Sequence, residues 1–350
     1  MERAKEASRQ ELLEVISGFD FGGELEEVGI FGNGHINETY CAVFSTDTGK
    51  KKFILQKMNH QIFKDPVGLM ENISGVTSWL KKKIQENGGD VERETLNIVN
   101  DREGSPYLVD KEGEYWRAYL FIEGATCFDQ VENDEDFYQS ALAFGNFQRL
   151  LSDYPAETLH ETIPDFHNTV KRFGDFKKAV AEDACGRAAD VQKEIQFVLE
   201  REQLAHTLVD LQKAGKLPLR VTHNDTKLNN IMMDRKTGKG ICVIDLDTVM
   251  PGLAVNDFGD SIRFGANLAA EDETDATKAG LDLEMYRAYL RGYLETCPSL
   301  TPEELKRLPD GARLMTLECG LRFLTDYLQG DPYFATSRPG QNLDLSLVHI

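Results

Sequence analysis

Up to about Tyr119 the chain alternates apolar and polar residues; beyond Gly124 the apolar residues recur at helical spacing. "VGIFGNGHINETYCAVFS", "KKFILQKMN" and "YWRAYLFIEG" read as strands and hairpins. One helix interrupts them in "GLMENISGVTSWLKKKI", with Leu69, Ile73, Val76 and Leu80 on one face. Past the switch, "DEDFYQSALAFGNFQRLLSD" sets Phe137, Ala141, Phe144, Leu150 and Leu151 on one side of a helix, and "VQKEIQFVLEREQLAHTLVDL" behaves similarly. A β-patterned run followed by a helical run predicts an α+β fold of two lobes. The small β-rich N-lobe would span 1–122 and the larger helical C-lobe 123–350, with the boundary near Phe121–Thr126 and the ligand in the cleft between them.

Charge narrows what that cleft can bind. The 350 residues carry 39 Lys plus Arg against 59 Asp plus Glu, a net charge of −20. Such a chain repels phosphate backbones and anionic lipid, so neither nucleic acid nor membrane is expected as a partner. An anionic substrate would need local cations or a metal to offset the field. The six cysteines (Cys41, Cys127, Cys185, Cys242, Cys297, Cys319) show no C-x-x-C pair and read as reduced and buried. The N-terminal "MERAKEASRQELLEVISGF" lacks the apolar core of a signal peptide, and no run of about eighteen apolar residues occurs. A cytoplasmic protein is expected; oligomeric state is not legible.

The most informative stretch is "VTHNDTKLNNIMMDRKTGKGICVIDLDTVMP", Val221 to Pro251. A hairpin turning at Thr237-Gly238 would set Asn230 opposite Asp245, with Cβ atoms roughly 5 Å apart. An amide and a carboxylate so placed make a two-point oxygen site for a hard cation that keeps most of its water, as Mg²⁺ does when it carries a nucleotide. Asp225, in the loop "HNDTKLNN", could meet a substrate hydroxyl beside that metal. The structural alternative is that Asp225 and Asn230 only cap a turn. Two neighbouring motifs compete. "DFG" at Asp257-Phe258-Gly259 imitates a metal-ligand motif but has no apolar strand leading into it. Asp257 reads instead as a helix cap or as an acceptor steadying the Asp225 loop. "VIDLDTV" imitates an aspartyl-phosphatase motif, with Asp245 as nucleophile and Asp247 as acid, but that reading leaves the upstream His-x-Asp-x4-Asn unexplained.

The arrangement "HNDTKLNN…VIDLD" resembles the aminoglycoside phosphotransferase/choline kinase family of protein-kinase-like small-molecule kinases. Within it, "GNGHINETY", "FILQKMN", "IDLDTVMPG", "DFGDSIRFGA", "ECGLRFLTDYL" and "GDPYFAT" are most similar to the N-acetylhexosamine 1-kinases, over Gly32 to Thr336. The resemblance implies a bilobal kinase-like fold and Mg²⁺-dependent transfer from ATP to the anomeric hydroxyl of a small-molecule sugar, GlcNAc or GalNAc. Related aminoglycoside, choline or homoserine kinases are the alternatives. It further implies Asp225 as catalytic acid–base and Asn230 and Asp245 as metal ligands. Gly32 and Gly34 would lie in a loop over the phosphates, and Phe121, Ile122 and Glu123 in the hinge that meets adenine. His35, Phe264, Arg322 and Tyr333 would line the sugar pocket. For Phe264 and Tyr333 ordinary core packing competes, and for Arg322 an ion pair with Glu318 one turn earlier. One departure stands out. Where kinases carry a lysine on the third strand, this chain has Gln56 in the slot and Lys57 next to it, expected on the opposite face. Which of the two reaches the nucleotide is open, and Glu71 is the candidate acidic partner on the following helix.

Overall fold

The computed structural model of the chain describes residues 7–32, 36–131, 133–270, 273–334 and 336–349. The first element is α1 (Arg9–Gly18), absent from the pattern reading above. Its start is encoded: Ser8 caps the helix in a capping box with Glu11, and Leu12, Val15 and Ile16 form its buried face. Then come β1 (Glu24–Ile30), β2 (Glu38–Thr46), β3 (Gly49–Lys57), α2 (Pro66–Glu86), β4 (Ile98–Val99), β5 (Leu108–Val109) and β6 (Tyr115–Leu120). The strands form one sheet in the order β1-β2-β3-β6-β4, with β5 also on β6. In β3, Phe53 and Leu55 face α1 together with Trp116 and Ala118 of β6. Ile54 of β3 and Tyr119 of β6 face the larger core. That alternation decides which side chains of these strands can look into the cleft.

α2 presents the predicted stripe, Leu69, Ile73, Val76 and Leu80, to that larger core. It begins earlier than the pattern indicated because Asp65 caps it and Pro66 occupies its first turn. The chain leaves the sheet at Leu120, passes Gly124 at φ 70°, and enters a second, three-stranded sheet through β7 (Ala125–Thr126).

The remainder is largely helical. It comprises α3 (Asp134–Leu150), α4 (Thr169–Glu182), α5 (Gln192–Leu199), α6 (Glu202–Lys213), the short strands β8 (Arg220–Thr222), β9 (Ile231–Asp234), β10 (Gly240–Val243) and β11 (Met250–Gly252), then α7 (Ala254–Gly265), α8 (Leu283–Thr296), α9 (Pro302–Gln329) and α10 (Gln341–His349). The stretch 191–211, read as one amphipathic helix, is two, α5 and α6, separated at Glu200–Arg201. Gly259 of α7 and Gly311 of α9 lie so close that a Cβ on either would overlap the other helix's backbone. This contact holds α7 firmly beneath the central loop. The architecture is a mixed α+β fold of the protein-kinase-like type, a β-sheet N-terminal part on a helical C-terminal part. The cysteines are free, but only Cys242 and Cys297 are buried and Cys185 is exposed. No described helix is long and apolar enough to cross a membrane.

Candidate active site

Between β8 and β9 the chain runs through the loop from His223 to Asn230, and α7 supports it from below. The buried Asp257 carboxylate accepts the backbone N–H groups of His223 and Asn224, both at 2.8 Å, and the Gln148 amide of α3 at 3.0 Å. Asp260, one turn on, accepts Thr226 N–H at 2.9 Å. Burial pushes the Asp257 carboxyl up, and the N–H groups of His223 and Asn224 pull it back. Of the two readings of Asp257, the acceptor is the one realised: the cap position is Leu253, and Asp257 stands inside the helix. β11, a short strand unforeseen in the sequence, precedes it.

Within the loop, Asn224 takes φ 64°, a left-handed turn that asparagine tolerates. Asp225 follows, its side chain about one-third exposed (32%). The Asn230 amide donates to Asp225 O at 2.8 Å and to its Oδ2 at 3.1 Å. The Lys227 amine lies 3.3 Å from Oδ1. His223 accepts Asp225 N–H on Nδ1 at 3.3 Å and donates from Nε2 to Ile244 O at 2.8 Å, which assigns it the neutral Nε2–H tautomer. It braces the loop against the end of β10.

The hairpin register differs from expectation. Ile231 pairs with Val243, and Asn230 O accepts Ile244 N–H at 2.9 Å, so Ile244 and not Asp245 stands opposite Asn230. The turn is longer than two residues because the Asp234 carboxylate gathers Lys236 N–H, Thr237 N–H and the Thr237 hydroxyl, and a bulge between Gly240 and Cys242 takes back only part of the slip. Asp245 therefore lies beyond the ladder, at φ 57°, ψ 60°. That left-handed residue redirects the chain and brings the carboxylate within electrostatic reach of Asp225 by another route. Asp245 is open to the cleft but walled by protein. Burial, then the like charges of Asp247 and Asp225, push its carboxyl from 3.8 up to about 6, against the pull of Arg117.

The N-lobe wall holds the least anticipated group. Arg117 of β6 is buried and grips Asp247 with both guanidinium ends, while its Nε donates to Gln56 Oε1 at 2.9 Å. Asn37, in the connection after β1, donates to Asp247 Oδ2 at 2.7 Å. Asp247 so clamped is no free general acid, which removes the phosphatase reading. Lys57 lies on the face toward α1, 3.4 Å from Glu11 and 5.7 Å over the Trp116 ring, away from the Gln56 side. The candidate partner Glu71 is likewise elsewhere: it is exposed and pairs with His160 at 2.6 Å. Gly32 has φ 73°, while Gly34 and His35 fall outside the described residues. At the hinge, Phe121 meets Phe31 edge to face at 5.7 Å, Ile122 is buried, and Glu123 pairs with Lys52 at 3.2 Å.

In α9, Arg322 lies 5.7 Å from the Phe166 ring, 6.0 Å from Tyr333 and 5.4 Å from Phe334. Glu318, its suspected partner, binds His167 at 3.0 Å instead, and among the described residues no acid holds the Arg322 guanidinium. His167 in turn contacts Asn224 O at 3.3 Å. Burial alone would lower the His167 pKa, but the Glu318 carboxylate reverses this and raises it. Phe264 ends α7 half-buried, with no ring partner among the described residues. Phe166 and His167, in the stretch "FHNT", carry no role in the sequence reading above.

The signature of the phosphotransferase enzyme family (APH) matches residues 31–301, most of the chain. The chain belongs to that family. Among solved structures, an aminoglycoside phosphotransferase from Alicyclobacillus acidocaldarius superposes with TM-score 0.63 at 12% identity, over 99% of this chain and 92% of that one. A spectinomycin phosphotransferase in complex with ADP and spectinomycin gives 0.59 at 14%, over 97% and 94%. A microcompartment-associated aminopropanol kinase gives 0.60 at 15%, over 96% and 93%. At such identities these phosphotransferase likenesses carry the fold alone.

The donor set also bears on a metal. Asn230 spends its N–H₂ on Asp225, leaving its amide oxygen, and Asp245 is a carboxylate under pressure from like charges. Hard oxygens of this kind suit Mg²⁺. Among the described residues no group of three His, Cys, Asp or Glu is placed to hold a metal.

Proposed function

We propose that this phosphotransferase is an ATP-dependent kinase that phosphorylates the anomeric hydroxyl of an N-acetylhexosamine. Its nucleotide would lie between an N-lobe of residues 1–122 and a C-lobe of 123–350, in the cytoplasm. The observation that carries the reading is Asp225: a half-open carboxylate held by Asn230 and Lys227, near Asp245 and one layer from Arg322 and its aromatic ring of neighbours. Asp225 would orient the C1 hydroxyl and take its proton as oxygen attacks the γ-phosphorus and ADP leaves. An anomeric hydroxyl is more acidic than other sugar hydroxyls, so a carboxylate of ordinary basicity suffices. Asn230 and Asp245 would hold Mg²⁺, which when bound neutralises charge on the transferring phosphoryl group. Phe121, Ile122 and Glu123 would meet adenine, and Gly32 and Gly34 the phosphates.

Arg322 would offer planar donors to sugar oxygens, flanked by Tyr333, with His35 and Phe264 completing the pocket. A choline-type acceptor is disfavoured because the cluster of Phe166, Tyr333 and Phe334 already surrounds a guanidinium, whose charge repels a quaternary ammonium. Free N-acetylhexosamine is expected to drive phosphoryl transfer, and its methyl glycoside, which lacks the C1 hydroxyl, is not. Product NMR showing phosphate on any other oxygen, or equal turnover of the glycoside, would overturn the assignment.

A pH effect accompanies the metal site. The Asp245 carboxyl ionises at about 6 in the folded protein and at 3.8 ordinarily, so the folded state binds this proton more tightly. Above about pH 6 the metal-free protein therefore bears a penalty that fades as pH falls through that value, and Mg²⁺ should relieve it. Screened by solvent in the cleft, the effect is worth about 1 kcal/mol. Mg²⁺ is expected to raise Tm by about 1–3 °C at pH 7.5 and by less at pH 5. Asp245→Asn should raise the metal-free Tm and abolish the response. An equal Mg²⁺ shift at both pH values would contradict this account.

A further inference from the structure

We propose that Arg117 supplies the cation that faces the nucleotide phosphates, in place of the lysine that the third strand lacks, and that Asp247 positions it. The proposal rests on the kinase reading above. β3 and β6 pair antiparallel with Gln56 directly opposite Arg117, and cross-strand partners share a face of the sheet. The guanidinium therefore occupies the volume beside the Gln56 amide, on the side of the sheet that looks into the cleft, and the two are joined at 2.9 Å. The charge that Gln56 removes from β3 is restored one strand over.

The other lysines near this wall are committed. Lys57 faces α1 and Glu11. Lys52 lies at the hinge, paired with Glu123 and over the Phe121 ring. Lys227 belongs to the Asp225 loop. Arg117, by contrast, is within electrostatic reach of both Asp245 and Asp247.

Burying a guanidinium is costly, and one ion pair seldom repays it, so a buried pair calls for another reason to exist. Arg117 has five N–H groups and spends three, one on Gln56 and two on Asp247. Two remain, one on each outer edge of the group, and each is left to donate singly to a phosphate oxygen. Asp247 lies two residues beyond Asp245 on the same turn, so the pair ties the positive charge to the proposed metal turn. Kinases with a strand lysine tie theirs to a helix; here Glu71 of α2 points outward. Asn37 joins the same carboxylate from the connection after β1, and its Oδ1 accepts Asn59 N–H at 3.0 Å. Asp247 thus gathers the loop over the nucleotide, the arginine strand and the metal turn.

The test is nucleotide binding by calorimetry, Mg·ATP against AMP, on the full chain. Arg117→Met is expected to weaken Mg·ATP about 10–100-fold while AMP affinity holds, because only the phosphates beyond the first lose their partner. Adding Gln56→Lys to Arg117→Met should recover about tenfold, since the new ammonium enters the same volume from the opposite strand. If Arg117→Met does not fold, Arg117→Lys keeps the charge without the fork and should weaken Mg·ATP selectively. Equal losses for ATP and AMP, or loss in Lys57→Met and not in Arg117→Met, would overturn the assignment. A wild-type protein that binds neither nucleotide overturns the kinase reading itself.

Discussion

Asp225→Asn is expected to lower kcat by at least about 10²-fold while leaving Mg·ATP affinity near that of the wild type. The substitution is nearly isosteric. Asparagine can still present an oxygen to the Asn230 amide, which reaches the carboxylate at 3.1 Å, and the backbone contact at 2.8 Å is untouched. The loop should therefore keep its shape, because Asp257 and Asp260 hold its N–H groups without help from the Asp225 side chain. What is lost is the group that accepts the hydroxyl proton, together with the charge opposite Lys227. A loss confined to kcat identifies that chemistry; a loss confined to KM for ATP would assign Asp225 to binding. Near-normal turnover would remove it from the site altogether.

Asp257→Ala is expected to cost about 3–5 kcal/mol of stability and to abolish turnover. Three buried donors converge on that carboxylate: His223 N–H, Asn224 N–H and the Gln148 amide. Alanine leaves the two backbone N–H groups without an acceptor in a space closed to water, while the Gln148 amide keeps only Val221 O, at 3.0 Å. Each unpaired buried donor costs about 1–3 kcal/mol, less where the loop can relax. Asp257→Asn retains an acceptor oxygen and should cost less than half as much. Denaturant titration checks both. If Asp257 were a metal ligand, as the letters Asp-Phe-Gly invite, alanine would remove the Mg²⁺ response and leave metal-free stability intact or improved.

The parts of this site that are readable in the sequence share a property: they depend on residues near one another along the chain. The spacing of Asp225 and Asn230 within one loop is local, and the structure joins them at 3.1 Å. The stripe on α2 is local too, since one helix face must be buried. α1 was missed although its signal is local too, Ser8-x-x-Glu11 followed by Leu12, Val15 and Ile16. The hairpin register was not legible, because one side chain, Asp234, enlarges the turn by collecting three donors at once. Nor was Arg117, whose neighbour Gln56 and partner Asp247 both come from distant segments. His167 is similar: it reaches Asn224 and Glu318 from a loop whose sequence has no period. Charges placed by tertiary pairing leave no trace in spacing.

The most direct test of the account is ADP release from Mg·ATP by the purified chain, with and without an acceptor. N-acetylhexosamines should stimulate release at least about tenfold over the acceptor-free rate, with choline and kanamycin-type aminoglycosides near background, and chelation of magnesium should abolish it. Release driven by choline or an aminoglycoside and not by any sugar would contradict the proposed substrate. Release indifferent to every acceptor would contradict the placement of Asp225 at a substrate hydroxyl.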